Sequence, residues 1–149
     1  MALFNVFDLA GSGMRAQSMR LNVTASNLAN ADNVATRPED AYRARHPVFA
    51  SHMRPGDVAG LAGAASFGRG SGESAAVRVL GIVESSIDPV KRYEPAHPLA
   101  DEEGYVYATN VNPIAEMVNM LSASRSYQSN GEVLNTTKEL LLGTLRLGQ

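Results

Sequence analysis

Both ends of this chain carry apolar residues at seven-residue intervals, and this spacing constrains the fold more than any other feature. Near the start of the chain, Phe7, Met14, Leu21 and Leu28 lie seven residues apart, and Leu3 lies one turn before Phe7; we call these residues the first stripe. Apolar side chains that recur every seven residues lie on one side of an α-helix and pack against another surface. The spacing therefore predicts an amphipathic helix over residues 1–31.

A second stripe with the same spacing lies near the end of the chain. Met120, Tyr127, Leu134 and Leu141 lie seven residues apart, and Met117 and Leu145 lie beside them on the same side. Asn112 can cap a helix here, and Pro113 suits the first helical position. The pattern predicts a helix over residues 113–149. At 1.5 Å per residue the two helices are roughly 40 and 50 Å long, so they can pair lengthwise as an antiparallel coiled coil.

The part of the chain between the two stripes has a different composition. Alternating apolar residues predict short strands at Val77–Val83, Val90–Tyr93 and Tyr105–Ala108, with further strand-like stretches in Ala41–Phe49. Residues 55–76 are mostly Gly, Ala and Ser, which predicts a flexible loop.

These elements predict an α+β protein with two parts. Residues 1–31 and 113–149 form a discontinuous helical domain, and residues 32–112 form a small β-rich middle domain. The first helix carries only Asp8, Arg15 and Arg20 as charged residues. Neutral amides and hydroxyls can be buried at lower cost than charges, which favours helices packed on several sides by other copies. The alternative is a monomeric bundle with an Asn- and Ser-rich outer face.

Composition and motifs argue against several classes of function. The net charge of −2 provides no positive field for nucleic acid, and no run of apolar residues is long enough to span a membrane. The chain has no cysteine, and His46, His52 and His97 lack the spacing of a zinc-binding pair. No catalytic motif is present, so we predict no enzyme activity, no small-molecule substrate, no metal and no cofactor.

Several stretches of the sequence resemble proteins of the flagellar axis. Ala25–Thr36 resembles the segment that ends the N-terminal helix in flagellar rod and hook proteins, with Asn27, Ala29, Asn30 and Thr36 at the motif positions. Other stretches resemble the proximal rod proteins within that family. These stretches are Tyr42–Phe49, Val79–Glu84, Tyr93–Asp101, Gly104–Val106, Asn110–Asn130, Glu132–Thr136 and Thr144–Gln149.

The resemblance implies a structural subunit without catalysis. Members of the family are exported through the flagellar type III apparatus without a cleaved signal peptide, and the N-terminus here lacks the basic segment of a secretory signal. They polymerise in the periplasm through their terminal helices, and the rod passes motor torque to the hook. Expected partners are copies of the chain, the other proximal and distal rod subunits, and the export-gate adaptor at the rod base.

Two other interpretations remain open from the sequence. The chain could be another axial rod or hook subunit of the same apparatus, since the terminal helices are shared features of these proteins. It could also be a cytosolic helical adaptor that binds a partner helix in a groove. The adaptor hypothesis leaves the rod-like stretches of the middle block unexplained.

Overall fold

The computed structural model describes residues 2–52 and 76–147 of the chain. Helix α1 spans Ala2–Ala29, and helix α2 spans Pro113–Leu147. The strands between them are β1 (Val34–Ala35), β2 (Arg45–His52), β3 (Ala76–Glu84), β4 (Val90–Tyr93) and β5 (Tyr105–Ala108). The predicted α+β class, with a helix at each end and short strands between them, is confirmed.

The end of α1 is defined by an asparagine rather than by a glycine. The Asn30 side chain donates a hydrogen bond to the carbonyl oxygen of Ser26 at 2.7 Å, and its backbone N–H reaches the carbonyls of both Ser26 and Asn27. A side chain that occupies a last-turn carbonyl competes with continuation of the helix. The helix therefore ends slightly before the predicted residue 31.

The start of α2 follows the sequence prediction. The side-chain oxygen of Asn112 accepts hydrogen bonds from the N–H groups of Ile114 and Ala115 at 3.1 and 3.2 Å. These bonds satisfy two donors that lack partners inside the first turn. Asn112 is confirmed as the N-cap, while the last predicted helical residues, 148 and 149, lie outside the described part of the chain.

Strands β1, β5 and β4 form an antiparallel sheet in that order. Val106 in the middle of β5 is fully buried. The turn before β5 contains Gly104 with φ of +80°, a conformation that favours glycine. It lies beside Tyr93, whose ring meets that of Tyr105 edge to face at 5.2 Å between centroids.

Strands β2 and β3 form a separate two-stranded sheet. Apart from half-buried Ala76 and Val79, all residues of β3 are exposed. The predicted loop at 55–76 lies outside the described residues, except for Ala76, which begins β3.

By its internal contacts the chain falls into two units. The first unit contains Met1–Ser18, Phe49–Leu80 and Ser124–Gln149, and the second contains Met19–Val48 and Gly81–Ala123. The predicted division into a helical domain and a β-rich middle domain stays a prediction.

Candidate assembly surface

Among the side chains of the two helices that the structure describes, the buried ones are small or polar rather than large and apolar. The buried apolar residues of the helices are Ala10, Ala16, Val23 and Ala123. The buried polar residues of the helices are Ser12, Thr24, Asn27, Glu116 and Thr137. Large apolar side chains normally dominate the interior of a protein. Because small and polar residues are buried here, most large apolar side chains of the helices remain at least partly accessible.

The second unit presents a group of large apolar side chains on α2. We call Ile114, Met117, Val118 and Leu121 the outer patch; they are between 54% and 75% exposed. Their spacing of three, four and seven residues places them on one side of the helix. Buried Glu116 and Ala123 lie on the opposite side.

The outer patch is confined to the first turns of α2. Farther along the same side of the helix, Arg125, Gln128 and Glu132 are exposed and polar. An apolar group with a polar border is typical of a protein interaction site. In the first unit, α2 exposes further large residues at Val133, Leu140, Leu142 and Leu145.

Behind the outer patch, the side chain of Asn27 joins three segments of the second unit. Its amide nitrogen donates to the carbonyl oxygen of Arg45 at 2.8 Å and to the carboxylate of Glu116 at 3.2 Å. Its oxygen accepts from the N–H of Arg45 at 2.9 Å and from the hydroxyl of Tyr42 at 3.0 Å. We call Asn27, Tyr42, Arg45 and Glu116 the asparagine clasp.

The clasp is buried and fully hydrogen-bonded at its centre. Asn27 is 0% exposed and Glu116 is 5% exposed. An asparagine amide can make about four hydrogen bonds, and the clasp supplies partners for both donors and for two lone pairs. Such a group has a strong geometric preference, because a displaced partner would leave a buried polar atom unpaired.

The first unit contains a close approach between α1 and α2. A Cβ atom placed on Gly13 would lie 2.8 Å from the amide nitrogen of Asn130. In the same unit, the hydroxyl of Ser12 accepts from the backbone N–H of Val77 at 3.1 Å and donates to the carbonyl of Leu9. Small residues on α1 therefore admit polar neighbours close to its backbone.

The predicted stripe residues differ in how far the structure exposes them. Half-buried members are Phe7, Met14, Leu21, Leu28, Met120, Leu134 and Leu141, and exposed members are Met117, Tyr127 and Leu145. The side chain of Leu3 lies outside the described residues. On α1, the contacting residues Gly13, Arg20 and Asn27 each come one position before a stripe residue. The role of the stripe in assembly stays a prediction.

The predicted motif residues have different environments. Asn27 is the centre of the clasp and Asn30 ends α1, whereas Ala29 and Thr36 are exposed. Sequence reasoning missed Glu116 and three members of the outer patch, Ile114, Val118 and Leu121. The spacing of Ile114, Val118 and Leu121 was a signal that could have revealed the patch.

Other arrangements within the described residues do not resemble catalytic or metal sites. Over residues 2–52 and 76–147, no group of three or more His, Asp or Glu side chains could hold a metal ion. None of the described helices is long and apolar enough to cross a membrane. A groove of about 850 Å³ in the second unit is lined by Arg43, Arg45 and Glu84 among others. Its arginines are paired, Arg45 with Glu84 at 2.9 Å and Arg43 with Asp88 at 3.3 Å.

Both helical ends of the chain match models of flagellar rod families. The model described as flagella basal body rod protein matches residues 7–35, which hold most of α1 and the motif positions Asn27, Ala29 and Asn30. The model described as flagellar basal body rod FlgEFG protein, C-terminal, matches residues 102–147, which hold β5 and α2. The fold and these matches define the class: the chain is a flagellar basal-body rod protein.

Full-length relatives identify the family within that class. The chain is 49% identical over 149 residues to the flagellar basal-body rod protein FlgC of Escherichia coli O6:H1 and to that of Salmonella typhimurium, with complete coverage of each chain. It is 38% identical over 152 residues to FlgC of Buchnera aphidicola subsp. Schizaphis graminum, again with complete coverage. The chain belongs to the FlgC family, so it is a structural subunit of the flagellar rod and not an enzyme.

Proposed function

We propose that this subunit belongs to the proximal rod and self-assembles through its terminal helices into the axial shaft that transmits motor torque. The observation that carries the proposal is the outer patch on α2, where four large apolar side chains are exposed over the first turns. Covering such a group with a neighbouring subunit removes apolar surface from water and is favourable at about 25 cal/mol per Å². Flagellar assembly and motility would then require this surface.

The two helices pair as an antiparallel coiled coil in this proposal. Contacts in the second unit support the direction of the pairing: Arg20 reaches Asn119 at 3.4 Å, and Asn27 reaches Glu116 at 3.2 Å. The residue numbers rise along α1 while they fall along α2, as antiparallel neighbours require. The half-buried members of the stripes, Phe7 and Leu134 among them, would complete their burial against other subunits.

The route to the rod and the neighbours there are also part of the proposal. We infer export by the flagellar type III apparatus without a cleaved signal peptide, followed by assembly where the rod spans the periplasm. The partners are copies of this chain, other proximal and distal rod subunits, and the export-gate adaptor at the rod base. The resemblance of the middle stretches to proximal rod proteins supports this placement over another axial position.

Thiol labelling tests whether the outer patch is covered. The chain has no cysteine, so a single introduced thiol reports on one position. Ser122 is exposed and lies one turn beyond Val118. In motile cells, S122C should resist a membrane-impermeant maleimide after export, whereas purified subunit should react readily.

The matched control is S86C, which replaces an exposed serine away from the helices. We expect S86C to react in both the cells and the purified subunit. If exported S122C reacts as fast as S86C in swimming cells, the outer patch is not an assembly surface.

A further inference from the structure

The asparagine clasp and the outer patch involve the same turns of α2 but lie on opposite sides of the helix. Glu116 precedes Met117 and Val118 on α2, and its carboxylate accepts a hydrogen bond from the fully buried Asn27. Side chains on opposite sides of the same helical turns move together when the helix rotates or slides. The orientation of the patch therefore depends on what holds the inner side of these turns.

Asn27 has the geometry of a register-setting residue. Its amide pairs with both the N–H and the carbonyl of Arg45, much as a neighbouring strand would, which fixes the start of β2 to the last turns of α1. The same amide nitrogen binds Glu116, so β2 and the first turn of α2 share one anchor. A slide of α2 by one residue would break the bond to Glu116 and leave a buried carboxylate without it.

Apolar contacts could not fix this position so sharply. In the second unit the buried apolar residues of these helices, Val23 and Ala123, are small, whereas the hydrogen bonds of the clasp are directional and costly to break when buried. A single buried polar residue is a well-attested means of selecting one register in paired helices.

We propose that Asn27 is a positioning residue for rod assembly: through Glu116 it fixes the register of α2, so that the outer patch meets a neighbouring subunit in one orientation. The proposal rests on the assembly role proposed above for the patch. Under this proposal Asn27 has a role in assembly in addition to stabilising α1. Asn27 is fully buried within the subunit, so its effect on assembly would be exerted through Glu116.

The first test combines substitutions in the clasp with the S122C reporter. N27A removes every hydrogen bond of the amide, and we expect the labelled fraction of exported protein to rise roughly tenfold, with loss of swimming. The matched control is N33A, which removes an exposed asparagine side chain with a single side-chain bond, to Asn30. N33A should change labelling by less than about twofold.

A second set of variants separates positioning from a general loss of stability. N27D places a carboxylate against that of Glu116 and also against the carbonyl oxygen of Arg45. The double variant N27D/E116Q restores a donor and an acceptor at the contact with residue 116 only, with the direction reversed, so the recovery is expected to be partial. We expect E116Q alone to swim almost normally, N27D to fail, and the double variant to regain part of the swimming and of the thiol protection. Independent stability effects would add instead, so the double variant would be no better than N27D.

The outcomes are separable from those of the proposed function. If S122C is unprotected in the otherwise unaltered chain, the outer patch is not covered and the proposed function fails. If S122C is protected there and equally protected in N27A cells that swim normally, only the positioning role fails. If N27A is degraded, the test becomes the comparison of N27D with N27D/E116Q. No improvement of the double variant over N27D would overturn the proposal.

Discussion

The two sides of α2 in the second unit differ in both size and polarity. Glu116 and Ala123 on the inner side are buried, whereas Ile114, Val118 and Leu121 on the outer side are exposed. In an isolated helical protein the larger apolar residues would face inward. Here the polar carboxylate and the small methyl group face inward instead.

This inversion separates two tasks on one helix. The inner side joins the chain to itself through directional hydrogen bonds, which define position more than they contribute energy. The outer side keeps apolar surface available for a second event, in which a neighbouring subunit covers it. A subunit that must fold and then polymerise benefits from this separation, because substitutions on the two sides have distinguishable effects.

The largest expected effect comes from a charge in the second stripe of α2. Leu134 is half-buried on the side of α2 that carries the second stripe. L134D should give a non-motile cell that still exports the protein. An unpaired charge in a stripe that other subunits cover costs several kcal/mol. Swimming in soft agar measures motility, and the amount of exported protein measures export.

The control for Leu134 is its neighbour Asn135, which is exposed. N135D adds the same charge one position away and should swim much better than L134D. Normal swimming of L134D would show that the stripe is not part of the assembled interface.

A charge on the outer patch should affect assembly but not folding. Val118 is 62% exposed, so V118D should change the free energy of unfolding of the subunit by about 0.5 kcal/mol or less. In the assembled rod the same carboxylate would lose its water, and swimming should be strongly reduced. If V118D lowers stability and leaves assembly intact, the two sides of α2 do not have the separate roles described above.

Gln128 provides the control for Val118. It is exposed on the same side of α2 but beyond the apolar group. Q128D should leave both urea unfolding and swimming close to normal, which would confine the sensitive surface to the outer patch.

Away from both sides of α2, a backbone change should alter stability alone. Gly104 has φ of +80°, and a Cβ atom there would lie 3.0 Å from the ring of Tyr93. G104A should lower the free energy of unfolding by about 1–2 kcal/mol, measured by urea unfolding, because alanine disfavours this conformation.

The control is Gly81 in β3, where an added Cβ atom meets nothing within 4 Å. G81A should leave stability unchanged or raise it by about 0.5 kcal/mol. Equal losses for the two variants would mean that neither the positive φ nor the contact with Tyr93 matters.

The smallest expected effect tests the close approach of α1 and α2 in the first unit. G13A gains up to about 1 kcal/mol of helix propensity. Its Cβ atom displaces the terminal amide of Asn130, which a side-chain rotation can relieve. Thermal unfolding should therefore shift little. Gly11, with open space around it, is the control, and G11A should show the propensity gain by itself.

The sequence predicted the secondary structure well where local signals are strong. The cap at Asn112, the strands Val90–Tyr93 and Tyr105–Ala108, and the helix at each end are confirmed. Capping chemistry and alternating apolar residues act over a few residues, so a single sequence contains them. The end of α1 was placed slightly late because the Asn30 side chain takes the carbonyl of Ser26.

The side of each helix that becomes buried was harder to predict. A heptad pattern of large residues selected Met14 and Leu21, which are half-buried, and Gly13 and Arg20, each one position earlier, approach Asn130 and Asn119 of α2. The pattern ranks residues by size, whereas close packing of two helix backbones favours small ones.

By itself the sequence determined the class of protein, the order of its helices and strands, and the motif that marks the end of α1. These depend on local spacing, capping and resemblance, which are properties of a linear chain. Only the tertiary structure decided that Asn27 would meet Arg45 and Glu116, and that Ile114, Val118 and Leu121 would remain outside. Asn27 and Glu116 are 89 positions apart, and a hydrogen bond over such a separation depends on how the whole unit folds.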